Sequence, residues 1–207
     1  PERFVSVGAG DGLTVETRPI KGTRPRGTTP VEDAALSAEL LASDKDRAEN
    51  LMIVDLMRND LSRVAQAGSV RVDHPFTVES YPTVHTMVST VRATLQPGLG
   101  ALDMLRALFP CGSITGAPKI RAMEIIRQVE PHPRGAYCGA IGWMAPDGAA
   151  SFNVAIRTLS LFEDGAITLN VGGGVVQDST TDGEWEEARW KAAYVQPSRR
   201  PKDGRYG

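Results

Sequence analysis

The opening residues alternate between apolar and polar side chains, which is the pattern of a half-buried β-strand. Two such runs, 3–7 and 13–17, flank the glycine-rich segment Gly8-Ala-Gly-Asp-Gly12 and predict an antiparallel hairpin. The next stretch, 18–27, is rich in glycine, proline and arginine, and we expect it to be a loop.

Helical signals begin after this stretch. Thr29, followed directly by Pro30 and three residues later by a glutamate, combines a capping box with proline at the first helical position. This pattern predicts a helix that ends near Ala42. Ser43 then predicts the N-cap of a second helix, which extends toward Val64.

Three more helices are predicted further along the chain. A short one spans 102–108, and Pro118 suits the first position of the next, in which four apolar residues recur at helical spacing and predict one buried side. These four are Ile120, Met123, Ile126 and Val129. Asp182 predicts the cap of a final helix that ends near Val195.

Strands are predicted at 69–73, 76–79 and 84–95, and a meander of short strands joined by Asp-Gly turns spans 137–176. Because strands and helices are segregated rather than alternating, they predict an α+β fold with layered antiparallel sheets and helices packed outside. We expect residues 1–196 to form one domain and 197–207 a disordered tail.

Composition narrows the class of protein. The 207 residues are 41% hydrophobic and 23% charged, which is typical of a globular chain. The net charge of −2 gives no general attraction to nucleic acid or to a membrane surface, and no apolar run approaches spanning length. The two cysteines, Cys111 and Cys138, have no metal-ligand spacing and suit a cytoplasmic protein. The first residue is not methionine, and we expect a piece of a longer polypeptide.

The segment between Gly112 and Gly116 is a candidate anion site. A glycine-containing loop before a helix N-terminus presents backbone N–H groups and the positive end of the helix dipole. The alternative is an ordinary helix start without a ligand. The P-loop pattern is absent from this segment, which argues against a nucleotide phosphate.

Two acidic pairs are candidates for a metal site. Asp46 and Glu49 lie three residues apart on the second predicted helix, and Glu184 and Glu187 lie three apart on the last, one turn before Lys191. Such carboxylates suit Mg²⁺, while the alternative is two solvated helix faces with an ordinary Glu187–Lys191 ion pair.

Single basic residues offer further chemistry. Arg157 follows Asn153 at alternating strand positions and could clamp a carboxylate, although a surface strand arginine is the commoner case. Lys21, in the predicted loop, is a nucleophile only if desolvation or nearby arginines lower the pKa of its amine; otherwise it is a solvated lysine. The candidate neighbours are Arg18, Arg24 and Arg26.

Several motifs in the same order resemble the chorismate-utilising enzymes, a family that includes anthranilate, aminodeoxychorismate, isochorismate and salicylate synthases. The resemblance extends to about Val195 and corresponds to the C-terminal half or so of a family member. The motifs are Pro1-Glu-Arg-Phe4, Pro19-Ile-Lys-Gly-Thr23, Asp46-Arg-Ala-Glu-Asn-Leu-Met-Ile-Val-Asp-Leu-Met-Arg-Asn-Asp60, Gly112-Ser-Ile-Thr-Gly-Ala-Pro-Lys119, Ile156-Arg-Thr158 and Gly172-Gly-Gly174.

The lysine within Pro-Ile-Lys-Gly-Thr resembles the aminodeoxychorismate branch, whereas the sister branches usually have alanine there. The resemblance therefore implies amination of chorismate, with ammonia supplied by a glutaminase subunit or fused domain. It implies that Lys21 attacks ring carbon C2, while Glu2 protonates the departing C4 hydroxyl.

The resemblance also implies a set of binding residues. Glu49 and Glu187 match the Mg²⁺ ligands, with Glu184 and Asp46 acting through water. The remaining matches are substrate contacts: Lys191 and the N–H groups around Gly116 and Ala117 for the ring carboxylate, and Tyr137, Arg157 and the backbone of Gly172, Gly173 and Gly174 for the enolpyruvyl carboxylate.

Thr86 stands where many relatives of this family carry a histidine, and we expect it to contact the substrate. The N-terminal part of the family's sheet and its lysine general base have no counterpart in this sequence. Two alternatives therefore stay open. One is a sister enzyme such as anthranilate synthase component I, and the other is an inactive fragment that only binds partners or ligand.

Overall fold

The computed structural model describes residues 2–10, 12–177 and 179–195. By its internal contacts the chain divides into two compact units, Pro1–Ala155 and Ile156–Gly207, and each is described by itself. The predicted tail, 197–207, lies outside the described residues. Mixed helix and antiparallel sheet, as predicted, make up both units.

The strands of the first unit form one antiparallel sheet in the described part of the chain. They are β1 (Arg3–Val7), β2 (Thr14–Thr17), β3 (Ile20–Pro25), β4 (Arg71–Ser80), β5 (Val84–Thr94), β6 (Ala140–Met144) and β7 (Ala150–Val154). Their order is β3-β5-β2-β1-β7-β6, and β4 pairs with β5. The long strand β5 is the centre, because β2 and β3 pair with successive parts of it.

The helices of the first unit are α1 (Pro30–Ala42), α2 (Asp44–Ser62), α3 (Ala101–Leu108), α4 (Gly112–Thr115) and α5 (Lys119–Val129). The predicted caps of α1 and α2 are confirmed. The hydroxyl of Thr29 accepts the N–H of Glu32, and that of Ser43 accepts the N–H of Asp46. Each cap satisfies a backbone donor that a helix start leaves without a partner.

The predicted loop 18–27 is wrong over most of its length. Residues Ile20–Pro25 form β3 and pair with β5, with Thr23 opposite Thr86 and an irregular register between Ile20 and Thr23. Glycine and proline lower the local preference for strand, but long-range pairing with an apolar central strand outweighs it. This correction places Lys21 in the sheet.

Helices α1 and α2 cover one face of the sheet. The core beneath them is apolar, with Leu40, Ile53, Met57 and Met87 almost fully buried. Polar contacts join the same layers: His85 Nε2 of β5 lies 2.9 Å from Asp33 Oδ1 of α1. The helix layer is therefore fixed to β5 by both apolar and polar contacts.

The predicted burial of one side of α5 is wrong in the described structure. No residue of α5 is buried, and the side chains of Ile120 and Val129 are 74% and 70% exposed. Pro118 is the N-cap of this helix rather than its first residue.

The second unit contains β8 (Thr158–Leu161), β9 (Ile167–Asn170) and α6 (Thr181–Ala192), which continues as a 3-10 turn over Ala193–Val195. Its hairpin confirms the predicted meander and its turn at Gly165. Thr180, rather than Asp182, caps α6 by accepting the N–H of Gly183. Among the described residues, no helix has the length and apolarity needed to cross a bilayer.

Candidate active site

Lys21 lies half-buried in β3, next to a close contact between this strand and α2. Its neighbour Gly22 has φ +85°, and a Cβ placed there would lie 2.9 Å from Cβ of Asp46. Only glycine meets both demands without strain. The sequence around Lys21 therefore lets α2 pack directly beside this lysine.

Asp46 and Glu49 occupy neighbouring positions on the first turns of α2, as predicted. Asp46 is half-buried, and its Oδ2 accepts a hydrogen bond from the Arg24 guanidinium at 3.1 Å. The close approach at Gly22 and the helical spacing together bring Lys21, Asp46 and Glu49 into one region of the first unit.

The three arginines near Lys21 are each paired with a carboxylate. Arg18 pairs with Glu79, Arg24 with Glu39 and Asp46, and Arg26 with Asp33. The hydrogen bond that Arg24 Nε donates to Glu39 Oε1 raises the pKa of Arg24. Salt bridges therefore offset the charges of the three arginines that the sequence offers as candidate neighbours of Lys21.

Thr86 lies in β5 beside the strand that carries Lys21. Its side chain is buried, and its Oγ1 has no hydrogen-bond partner among the described residues. A buried hydroxyl without a partner costs free energy. A molecule bound beside Thr86 would therefore gain a hydrogen bond that the protein itself does not supply.

Glu2 meets the glycine-containing segment from the far end of the sequence. Ser113 Oγ donates to Glu2 Oε1 at 3.0 Å, across 111 residues. The backbone carbonyl of Glu2 also accepts the N–H of Val154 at 2.9 Å, which holds the residue beside β7. The fold therefore unites two of the sequence motifs in the first unit.

The glycine-containing segment itself differs from the predicted anion loop. Residues Gly112–Thr115 form the short helix α4, and the N–H groups of Ile114, Thr115 and Gly116 donate to carbonyls of Cys111 and Gly112. The expectation of bare N–H groups in this segment is wrong for Thr115 and Gly116, because the helical turn uses them itself. Whether Gly116 and Ala117 contact a ligand stays a prediction.

Sequence reasoning missed an ion pair that holds this segment. Lys119 Nζ donates to Asp60 Oδ2 of α2, whose side chain is 2% exposed, and also to the carbonyl of Leu108 at 2.8 Å. Asp60 and Lys119 are the last residues of two family-like motifs, which was the signal available in the sequence.

Tyr137 lies in the turn before β6 and lines a cavity of about 510 Å³ beside α5. The guanidinium of Arg134 lies 5.9 Å from the centre of its ring. Burial raises the pKa of the Tyr137 hydroxyl to about 12, so the group is protonated at neutral pH and can donate a hydrogen bond.

In the second unit, the glycine run after β9 approaches the acidic face of α6. A Cβ on Gly173 would lie 2.6 Å from Glu184 Oε2 and 3.6 Å from Glu187 Oε1. Lys191 Nζ donates to Glu187 and, at 3.0 Å, to the carbonyl of Gly172. The backbone of the glycine run therefore comes close to α6, and both carboxylates lie near Gly173.

Arg157 was expected on a strand but lies in the connection between β7 and β8 with φ +52°. Positive φ is uncommon in residues other than glycine, and such residues are concentrated at functional sites. The clamp role of Arg157 stays a prediction.

The two acidic pairs belong to different units. Among the described residues of either unit, no three His, Cys, Asp or Glu side chains are grouped to hold a metal ion. A shared Mg²⁺ would need carboxylates from both pairs, so it stays a prediction.

A family model for chorismate binding enzymes matches residues 1–197 of the chain. The chain belongs to the chorismate binding enzyme family. Membership agrees with the resemblance of the sequence motifs and with the mixed helix and antiparallel sheet.

Two curated relatives within this family indicate the branches that the chain resembles. Aminodeoxychorismate synthase component 1 of Klebsiella aerogenes is 54% identical over 90% of the chain, and anthranilate synthase component 1 of Streptomyces coelicolor is 48% identical over 93%. The chain spans 41% and 37% of their respective lengths.

A solved structure of the family has the same fold. Anthranilate synthase component I from Streptococcus pneumoniae superposes with a TM-score of 0.80 and 39% sequence identity. The match covers 93% of this chain and 41% of that protein.

Proposed function

We propose that this chain is the part of an aminodeoxychorismate synthase component 1 that converts chorismate and ammonia to 4-amino-4-deoxychorismate. The position of Lys21 in the chain supports the proposal, because it lies in β3 next to Gly22, which contacts Asp46 on the acidic first turn of α2. The 54% identity with a relative of that name supports the same branch.

In the proposed reaction, the unprotonated amine of Lys21 attacks ring carbon C2 of chorismate as the C4 hydroxyl leaves. Glu2 donates the proton that converts this hydroxyl to water. Ammonia then forms a bond to C4, and the bond between Lys21 and C2 breaks. Two easier displacements thereby replace one difficult displacement.

The remaining predicted residues would hold the substrate. Thr86 has a buried hydroxyl without a partner among the described residues, which suits a substrate hydrogen bond. Tyr137 and Arg157 would bind the enolpyruvyl carboxylate together with the backbone at Gly172–Gly174, since guanidinium and phenol groups donate to carboxylates. Lys191 would lie at the ring carboxylate.

We further propose Mg²⁺ as the cofactor, held by Glu49 and Glu187 with Asp46 and Glu184 acting through water. The donor set fits the ion, because Mg²⁺ prefers carboxylate oxygens and retains several waters. The convergence of Glu184 and Glu187 on Gly173 supports their joint role. When bound, the ion would neutralise the substrate carboxylate and the charge near the reacting carbons.

The ammonia would come from a glutaminase, as a separate subunit or a fused domain, and a cytoplasmic setting is expected for the pair. The product decides the branch. The full-length protein, given chorismate, Mg²⁺ and an ammonium salt, should form 4-amino-4-deoxychorismate, identified by chromatography and mass spectrometry. Anthranilate as the main product would assign the chain to the sister branch, and unchanged chorismate would contradict catalysis.

Replacing Lys21 with alanine should lower kcat by at least about a hundredfold, because the covalent route needs the amine. Steady-state kinetics with ammonium salt measure the loss. Lys45→Ala is the matched control, since Lys45 is an exposed residue at the start of α2. Equal rates for wild type and Lys21→Ala would remove the nucleophilic role.

Replacing Glu187 with glutamine should raise the Mg²⁺ concentration needed for half-maximal activity by about tenfold or more, because a charged ligand is lost. Glu186→Gln is the control, since Glu186 pairs with Arg189 on the exposed side of α6. A matching shift in both variants would argue against Glu187 as a ligand.

A further inference from the structure

The segment from Leu108 to Lys119 is closed into a loop by one side chain. Lys119 Nζ reaches back to the carbonyl of Leu108 at 2.8 Å and contacts the buried carboxylate of Asp60 on α2. Both charges are almost fully removed from water, at 14% and 2% side-chain exposure. Breaking such a buried pair on one side leaves an uncompensated charge, so the contact holds the loop firmly.

Apolar packing fixes the middle of the same loop. A Cβ on Gly112 would lie 2.3 Å from Leu56 Cδ2 and 2.9 Å from Met57 Cε, so the backbone of α4 rests directly on α2. The orientation of Ser113, the next residue, is therefore set by a loop fixed at both ends and at its centre.

Ser113 of this loop contacts the candidate acid, Glu2. Its hydroxyl donates to Glu2 Oε1 at 3.0 Å and lies 3.2 Å from Cys111 Sγ. Cys111 and Lys119 are the titratable groups of the loop near this contact. Desolvation raises the pKa of the Cys111 thiol to about 11, so the sulfur is neutral and Ser113 is left to donate to Glu2.

We propose that Ser113 is a positioning residue for Glu2, and that the Asp60–Lys119 pair acts through Ser113 by holding its loop on α2. The inference rests on the proposed function, in which Glu2 protonates the leaving hydroxyl. Ser113 fixes the direction of one carboxyl oxygen of Glu2, Oε1, and thereby the orientation of the carboxyl group. Its hydrogen bond also stabilises the ionised form of Glu2, which limits how far up the pH scale the acid stays protonated.

The test compares Ser113→Ala, Ser113→Thr and wild type in the full-length protein, with kcat/KM measured against pH. Ser113→Ala should lower kcat about tenfold and move the basic limb of the profile up by about one pH unit, because the carboxylate loses one donor. Ser113→Thr keeps the hydroxyl and should restore both. Thr115→Val is the matched control, since Thr115 Oγ1 bonds within its own loop.

The role of the ion pair is tested by combination. Asp60→Asn should move the limb in the same direction as Ser113→Ala, and the double variant should move it no further than Ser113→Ala alone. Additive shifts would show that the pair acts by another route, and an unmoved limb in Ser113→Ala would overturn the positioning role.

A readout without turnover separates this inference from the proposed function. Carbon-13 NMR of labelled glutamate, with Glu2→Gln to assign the signal, should show a higher carboxyl pKa for Glu2 in Ser113→Ala. Absence of aminodeoxychorismate from wild type would refute the proposed function alone. An unchanged Glu2 titration would refute the role of Ser113 alone.

Discussion

Helices α2 and α5 of the first unit reverse what their sequences suggest. α5 has apolar residues at regular helical spacing, yet none of its residues is buried. α2 is dominated by charged and polar residues at its start, yet it buries six side chains, among them the polar Asn50 and Asp60. Spacing therefore shows which face of a helix is suited to burial, whereas the surface opposite decides whether burial occurs.

The polar residues of α2 are buried because each has a partner. Asn50 Oδ1 accepts from Ser89 Oγ of β5 at 2.5 Å, and Asp60 binds Lys119. A buried polar group with a partner avoids most of its desolvation cost. The difference between the helices teaches that partners across the fold, which local sequence does not reveal, determine the buried set.

The largest effect expected from this contrast is in the core. Met57→Ala on α2 should lower the free energy of unfolding by about 2–5 kcal/mol, because a 1% exposed side chain leaves a cavity. Ile120→Ala on α5 should change it by less than about 0.5 kcal/mol. Urea unfolding of the 207-residue chain measures both. Equal losses would show that the apolar face of α5 is covered in solution.

A smaller effect is expected where α4 rests on α2. Gly112→Ala should cost about 1–3 kcal/mol, because its new methyl group would overlap Leu56 and force the loop to shift. Gly8→Ala is the control, since a Cβ there would lie 3.8 Å from the nearest atom, the carbonyl oxygen of Thr14. Thermal unfolding compares the two variants, and similar midpoints would argue against close packing of Gly112 on Leu56.

The smallest effect on stability is expected from the polar contacts of α1. The guanidinium of Arg26, followed by the N–H of Gly27, holds the pKa of Asp33 well below its usual range. In the unfolded chain this carboxyl titrates near 3.9, so its stabilising effect is complete above about pH 4 and is lost as pH falls toward the lower folded value.

Asp33→Asn should therefore lose less stability than wild type when the pH is lowered from about 5 to about 3. Urea midpoints at several pH values measure the difference. Asp55→Asn is the control, because Asp55 pairs with Arg58 on the exposed side of α2. The interpretation fails if Asp33→Asn and wild type have parallel pH profiles.

Local signals in the sequence predicted the elements that depend on local chemistry. Thr29 and Ser43 cap α1 and α2 as expected, and the Asp-Gly turns of the meander join β6 to β7 and β8 to β9. The N-cap of α6 is Thr180 rather than the predicted Asp182. Both residue types are common N-caps and they lie two positions apart, so the sequence could not show which of them begins the helix.

The sequence pattern did not predict contacts between residues that are far apart along the chain. The strand character of Ile20–Pro25 depends on pairing with β5, and the Ser113–Glu2 contact joins residues 111 positions apart. The family-like motifs contain Lys21 and Glu2, whose roles stay predictions, and they did not reveal that α4 would use its own N–H groups. Backbone geometry of this kind depends on how the segment folds, which residue identities alone do not specify.

Close packing against α2 and the proposed chemistry fall on two adjacent residues of β3, Gly22 and Lys21. The steric demand falls on Gly22, which contacts Asp46 of α2, while the neighbouring position carries the amine that we propose as the nucleophile. Under the proposed function, exchange of lysine for alanine at position 21 would change the chemistry without disturbing the contact between β3 and α2. Exchange of Gly22 for a larger residue would instead disturb the packing of α2, whichever side chain stands at position 21.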